Sequence, residues 1–228
     1  ENARLFLSVQ NNVRSLQLLH KFSEDMTSTL DLENVLRYSV KAVQELLGAR
    51  AASILKIKDN ELVFEVALGD RADDLKPYRL PIDHGVAGWV VQHLQPVIIN
   101  DVSQDERFTG DTDKLSGFTT QSMAVAPLVV NEVPIGVLEV FNKPGGFDMS
   151  DMNLLATFAS TAAIALENAR LYAEAIEKGR MERELQMARH VQAKMLPEGV
   201  PELPGWDFAI QWLPARQVGG DYFDFVPL

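Results

Sequence analysis

The sequence predicts an α+β fold: one antiparallel sheet with helices packed on one face. Three observations predict it. Helical spacing of apolar residues gives way after Gly48 to strand-length runs of alternating or continuous apolar residues. Two pairs of such runs flank short polar pairs, the pattern of hairpins. Helical spacing then returns at Ser150.

In chain order, residues 2–22 read as a helix, because Phe6, Val9, Val13, Leu16 and His20 alternate spacings of three and four. A second helix is expected over 32–47, with Asp31 as its N-cap and Gly48 as its stop. Residues 51–57 and 61–68 are strand-like around the turn pair Asp59-Asn60. A short strand is expected over 78–82, limited by Pro81. Residues 85–94 read as a short helix and 96–100 as a buried strand. Residues 101–120 are polar and irregular, and long loops inside compact domains usually carry function. A second hairpin, 123–130 and 135–141, turns at Asn131-Glu132; Ile135, Val137, Glu139 and Phe141 share one face of its second strand.

Ser150 is expected to cap the last helix, with Met149 and Leu154 as a hydrophobic staple and Asp151 in its first turn. No proline interrupts the chain from there to Pro197, so this helix is predicted to run for about 45 residues, roughly 70 Å. Its first half is apolar enough to pack on the sheet. From Ala173 to Leu196 the apolar residues thin to a stripe, Met181, Leu185, Ala188 and Met195, among four acids and five bases. A helix with so narrow a stripe is unstable alone, and a second copy of itself is the simplest partner. A solvated linker is the competing reading. Beyond Pro197, residues 206–213 and 218–226 are expected to begin a further sheet.

Composition narrows the function classes. Net charge is −11, from 32 acidic and 21 basic residues, which argues against non-specific binding to nucleic acid or an anionic membrane. No apolar run reaches the length of a membrane helix. There are no cysteines, which excludes disulfides, thiolate metal sites and thiol nucleophiles, and fits a reducing, cytoplasmic setting. The chain opens on Glu1 and closes three residues after Phe225, so a longer parent is expected at both ends.

Residues 25–172 resemble a GAF domain, a widespread small-molecule sensor fold. The matching text is Gly85-Val86-Ala87-Gly88-Trp89, then Ile99-Asn100-Asp101-Val102 with Asp105, Arg107 and Phe108. It continues through Thr120-Gln121-Ser122 to Ala126-Pro127-Leu128, Ile135 to Lys143, and Ala163 to Ala169. The resemblance implies a ligand pocket between the sheet and a lid formed by residues 101–122. Phe108 is then placed to stack on a planar ligand, and Thr119, Thr120 and Ser122 to hydrogen-bond it. The competing reading makes Phe108 core and the hydroxyls turn formers. Asn142-Lys143, Phe147 and Asp151 also resemble a motif of cyclic-nucleotide-binding GAF domains, but Met152 stands where that motif has Glu. We read Lys143 and Asp151 as a structural clasp between strand and helix. The missing cysteines remove bilin attachment, cysteine-ligated iron and sulfoxide reduction from the chemistries the resemblance allows. The ligand itself is unknown.

The tail, 198–228, resembles the start of a bacterial metal-dependent serine phosphatase domain of the 2C type, from the stress-response and sporulation sigma-regulator family. The residues that carry this are Ala188, Val191-Gln192, Leu196-Pro197, Pro214-Ala215 and Val218-Gly219-Gly220-Asp221-Tyr222-Phe223-Asp224-Phe225. The resemblance implies that Asp221 is a ligand to Mn²⁺ or Mg²⁺, with the remaining metal ligands in a parent beyond Leu228. It also implies a phosphoserine anti-sigma-factor antagonist as the parent's substrate. Residues 1–24 are then an N-terminal helix, 25–172 the sensor and 173–197 a coiled-coil signalling helix joining it to the phosphatase. The alternative is a non-catalytic module that dimerises through its terminal helices and binds a ligand such as a cyclic nucleotide.

Overall fold

The computed structural model describes residues 32–70, 72–197, 199–202 and 204–226. The helix expected over 2–22 and the Asp31 cap lie outside them. The described chain divides at Ala169/Arg170 into two compact units.

The first unit opens with α1, Leu32–Leu47. It buries Leu36, Val40, Val43 and Leu47, a stripe of helical period, and Gly48 ends it in the left-handed region at φ +64°. Strands β1, Ala51–Lys58, and β2, Glu61–Leu68, pair antiparallel. Asp59 and Asn60 both take positive φ, 51° and 64°, as a two-residue hairpin turn of matching twist requires. The short edge strand β3, Arg79–Pro81, pairs with β2. Helix α2, Gly85–His93, leads to β4, Val97–Ile99. Helix α3, Asp111–Ser116, interrupts the segment expected to be irregular. Its boundaries are Gly110 and Gly117, both left-handed, and those glycines are what made the sequence look like loop. Strands β5, Met123–Val130, and β6, Val133–Phe141, form the second hairpin across Asn131 and Glu132, φ 49° and 66°.

The sheet order is β3-β2-β1-β6-β5-β4, and every neighbouring pair is antiparallel. The centre is the β1–β6 pair. A Cβ on Gly136 would lie 2.1 Å from the Leu55 carbonyl oxygen, so glycine alone permits that approach. Alternation sends successive residues to opposite faces. Ile54, Val66, Ala126, Leu138 and Val140 meet α1 and the first turns of the last helix. Leu55, Phe64, Val125 and Val137 face the other way, against Val86, Val90 and Val91 of α2.

Helix α4 is a single element, Met149–Met195, of 47 residues. Its N-terminus corrects the expected cap. Asp148 Oδ1 accepts from the backbone N–H of Ser150 (2.8 Å) and of Asp151 (3.0 Å), so Asp148 satisfies the helix's first donors. Met149 is 69% exposed, so no staple with Leu154 forms. Met152, Leu155, Phe158, Ala159, Ala162 and Ala163 are buried instead, which fixes the register of α4 on the sheet.

The second unit comprises the remainder of α4 and the tail. No strand forms among the described residues after Met195, where two were expected, because a lone hairpin has no sheet to bury its apolar face. The aromatic residues gather on one another: Trp206 stacks on Phe208, and Phe225 meets Phe208 and Phe223 edge-on. The tail is anchored to its helix by one amide. Gln192 Nε2 donates to the Gly219 carbonyl (2.5 Å), and Gln192 Oε1 accepts from the Gly219 N–H (3.0 Å).

Candidate functional site

A cavity lies on the α2 face of the sheet, bounded by β1, β2, β6, the start of α2 and the segment 108–120. Its floor is Ser53 of β1 and Glu139 of β6, which are register partners. Its walls are largely apolar, from Phe64, Leu75, Leu80, Phe108, Met123 and Phe141. Ligand sites commonly combine such a lining with a few placed polar groups. The cavity measures about 90 Å³. Pockets for drug-sized molecules run to ~300–1,000 Å³, so a ligand of that size requires the overlying segment to move.

That segment is held by four side-chain devices. Asp105 receives Arg107 through two bonds, Nε to Oδ1 (2.9 Å) and Nη2 to Oδ2 (2.6 Å), and the guanidinium lies 4.6 Å from the Trp89 ring centroid. The hydrogen bonds from Arg107 hold the Asp105 carboxyl below its ordinary range. Asp111 joins His84 Nε2 (2.9 Å) and Lys114 Nζ (3.0 Å), and the Lys114 bond, then that of His84, lowers its carboxyl to about 2. Asp113 accepts from both the N–H and the hydroxyl of Thr120, each at 2.7 Å. Asn142 ties the segment to β6. Its Oδ1 accepts from the N–H of Gln121 (2.7 Å) and Ser122 (3.1 Å), and its Nδ2 donates to the Thr119 carbonyl (2.7 Å).

Of the four residues expected to meet a ligand, Phe108 and Thr120 line the cavity. Thr119 is exposed and lies outside the lining, and Ser122 is buried beside Asn142 rather than in the cavity. The Thr120 hydroxyl is occupied by Asp113. Lys143 Nζ and Asp151 Oδ2 are 2.5 Å apart, with the Asp148 N–H also donating to that carboxyl, so the pair joins the end of β6 to the start of α4.

Sequence reasoning placed Glu139 on one face of its strand without assigning it a role. It is 6% exposed, and the Ser53 hydroxyl donates to its Oε2 at 2.8 Å. Burial pushes this carboxyl up to about 7 against the opposing effect of the Ser53 bond. The available signal was a single acid in an apolar alternation, Ile135 to Phe141, at a position whose neighbours are buried.

On the second unit, Met181 and Met195 are each more than half exposed, Ala188 is exposed and Leu185 half-buried. Asp221 is exposed. Among the described residues no group of three or more His, Cys, Asp or Glu is arranged to hold a metal ion, so the residues present do not by themselves fit a Mn²⁺ or Mg²⁺ centre. Among them, too, no helix is long and apolar enough to cross a membrane.

Comparison with known proteins places this geometry. A family model described as GAF domain matches residues 29–167. The "Probable 3',5'-cyclic phosphodiesterase pde-5" of Caenorhabditis elegans is 25% identical over 181 residues, 72% of this chain. The "Dual 3',5'-cyclic-AMP and -GMP phosphodiesterase 11" of Drosophila melanogaster is 26% identical over 184 residues, 73% of this chain. The match spans only 25% and 12% of the length of these relatives. Among solved structures, the GAF domain of a phosphoenolpyruvate-protein phosphotransferase from Coxiella burnetii superposes with a TM-score of 0.63 at 20% identity, covering 70% of this chain and 96% of that one. That likeness establishes the fold.

Proposed function

The chain belongs to the GAF domain family, and from that premise we propose that residues 29–167 are a sensory module whose cavity binds a small molecule. Occupancy changes the segment 101–122 and, through Asn142 and the Lys143–Asp151 clasp, the start of α4. The observation that carries this reading is the cavity with a buried, singly bonded carboxyl on its floor. A carboxyl buried at a cost, where an apolar residue would serve packing better, points to a functional requirement. Cyclic nucleotides belong among the first probes, because the relatives named above are cyclic nucleotide phosphodiesterases.

Helix α4 is the proposed output. Its stripe of Met181, Leu185, Ala188 and Met195 is what a second copy of the helix would cover, so the chain acts as a homodimer. Light scattering is expected to give twice the chain's mass, falling toward the single-chain mass in Ala188→Pro. An unchanged dimer in that variant places the interface elsewhere.

In a longer parent, the module governs a Mn²⁺- or Mg²⁺-dependent serine phosphatase acting on a phosphorylated anti-sigma-factor antagonist. Support for that finer reading is the resemblance of the tail, Val218 to Phe225. The alternative, a sensor and dimerisation module without catalytic output, rests on the same cavity and the same helix.

The sensor reading is tested by thermal shift of the 228-residue chain against a panel of small anions, cations and cyclic nucleotides at millimolar concentration. At least one probe is expected to raise the melting temperature. A flat response across the panel contradicts a ligand role.

A further inference from the structure

The described lining of the cavity is rich in carboxylates. Asp70, Asp111, Asp113 and Glu139 line it, and among the described lining residues there is neither Lys nor Arg. Three of these carboxylates are accounted for or peripheral. Asp111 is held by His84 and Lys114, Asp113 by Thr120, and Asp70 lies 3.8 Å from Arg50 near the rim. Glu139 differs from them. It is more than nine-tenths buried, Oε2 takes the Ser53 hydroxyl, and Oε1 has no hydrogen-bond partner among the described residues. On the neighbouring strands it faces Ser53 of β1 and Val125 of β5, neither of which carries charge. Across the cavity the titratable groups among the described lining residues are His84, Asp111 and Asp113, and the His84 imidazole is committed to Asp111.

We propose that this cavity takes a compact cation, an amine or guanidine whose N–H groups bond to the open oxygen of Glu139. Such a ligand supplies the hydrogen bond that oxygen lacks and neutralises a carboxylate in a poorly hydrated site. The apolar walls of Phe64, Leu80 and Met123 accept its short alkyl portion. The volume of about 90 Å³ suits a molecule of a few heavy atoms. The inference rests on the sensor reading above and names the ligand class for the same cavity.

Proton linkage gives the test a sign. A cation favours the ionised carboxyl, and burial keeps Glu139 partly protonated until about pH 7. Binding therefore releases a proton and tightens as pH rises. The ionised fraction goes from about one tenth at pH 6 to about nine tenths at pH 8, so affinity is expected to rise about tenfold. Methylguanidine, propylamine, propionate and cyclic GMP would be titrated into the 228-residue chain and into E139Q at both pH values, with binding followed by calorimetry or amide chemical shifts. Gln keeps an acceptor for Ser53, so E139Q should fold. The expected result is binding of methylguanidine or propylamine about tenfold tighter at pH 8 than at pH 6, and weak, pH-independent binding in E139Q. A pH slope that survives E139Q, or equal binding of propionate, overturns the proposal. Cyclic GMP bound alike by both proteins overturns it while leaving the sensor reading intact. Silence from all four probes counts against both.

Discussion

Glu139→Gln is expected to stabilise the sheet domain progressively as pH rises, by about 2–3 kcal/mol more at pH 8 than at pH 5. Burial lifts the Glu139 carboxyl from 4.5 to about 7 in the folded state. Below pH 4.5 both folded and unfolded chains hold the proton. Between 4.5 and about 7 the folded chain binds more protons than the unfolded one, so its stability falls as pH rises. Above about 7 both states are ionised and the penalty is fully present. Gln escapes the penalty because it does not titrate. Urea unfolding of both proteins at pH 5 and pH 8 measures the difference directly. Parallel pH dependence in the two proteins would show that the carboxyl is solvated in the folded state. A destabilising acid kept on the floor of a cavity is best explained by what the cavity must bind.

Asn142→Ala is expected to cost about 3 kcal/mol and to lower the melting temperature by about 10 °C. The side chain makes three hydrogen bonds to the backbone of residues 119–122, and its own N–H donates to the Ser122 carbonyl. Removing the amide leaves the Ser122 N–H without its partner in a buried setting, and the Gln121 N–H and Thr119 carbonyl without theirs. Asn142 also takes φ +56°, which Asn tolerates better than Ala. Hydrogen exchange at Gln121 and Ser122 should accelerate with the loss of stability. Asn142→Asp keeps the acceptor and loses the donor, so it should fall between the two. If exchange at those amides is unchanged in the Ala variant, Asn142 does not hold the segment over the cavity.

Much of the fold was legible because its signals are local. Asp59-Asn60 and Asn131-Glu132 occupy the positive-φ positions that make hairpins. The uninterrupted run from Ser150 to Pro197 announced a long helix, and it ends at Met195. The misses arise where short elements, caps or absent neighbours decide the structure. Helix α3 is six residues between two glycines, and Asp113 reaches seven residues on to hold Thr120. The tail lacks the neighbours that would turn alternation at 206–213 into a strand. At the α4 terminus the helix starts two residues earlier than a Ser150 cap implies, and Asp148 rather than Ser150 meets its first free N–H groups.

Part of the cavity's lining was legible in the sequence. Phe108 and Thr120 do reach the cavity, since both lie in the segment that crosses it. Glu139 was visible in the sequence but its meaning depends on Ser53, a β1 residue 86 positions away, and on the depth at which the two strands lie. Asn142-Lys143 reads as one motif, yet its two side chains do different work. Asn142 holds the segment above the cavity, and Lys143 holds the start of α4. Adjacent residues at a strand end thus connect the cavity to the long helix.

The most direct measurement is residue-resolved hydrogen exchange of the 228-residue chain, with and without the probe that most raises its melting temperature. Ligand binding in the cavity predicts slowed exchange at residues 108–122, strongest at Thr120 to Ser122, and along β6 around Glu139. Protection confined to residues 173–195, or none anywhere in 101–122, would contradict the assignment of this cavity as the sensing site.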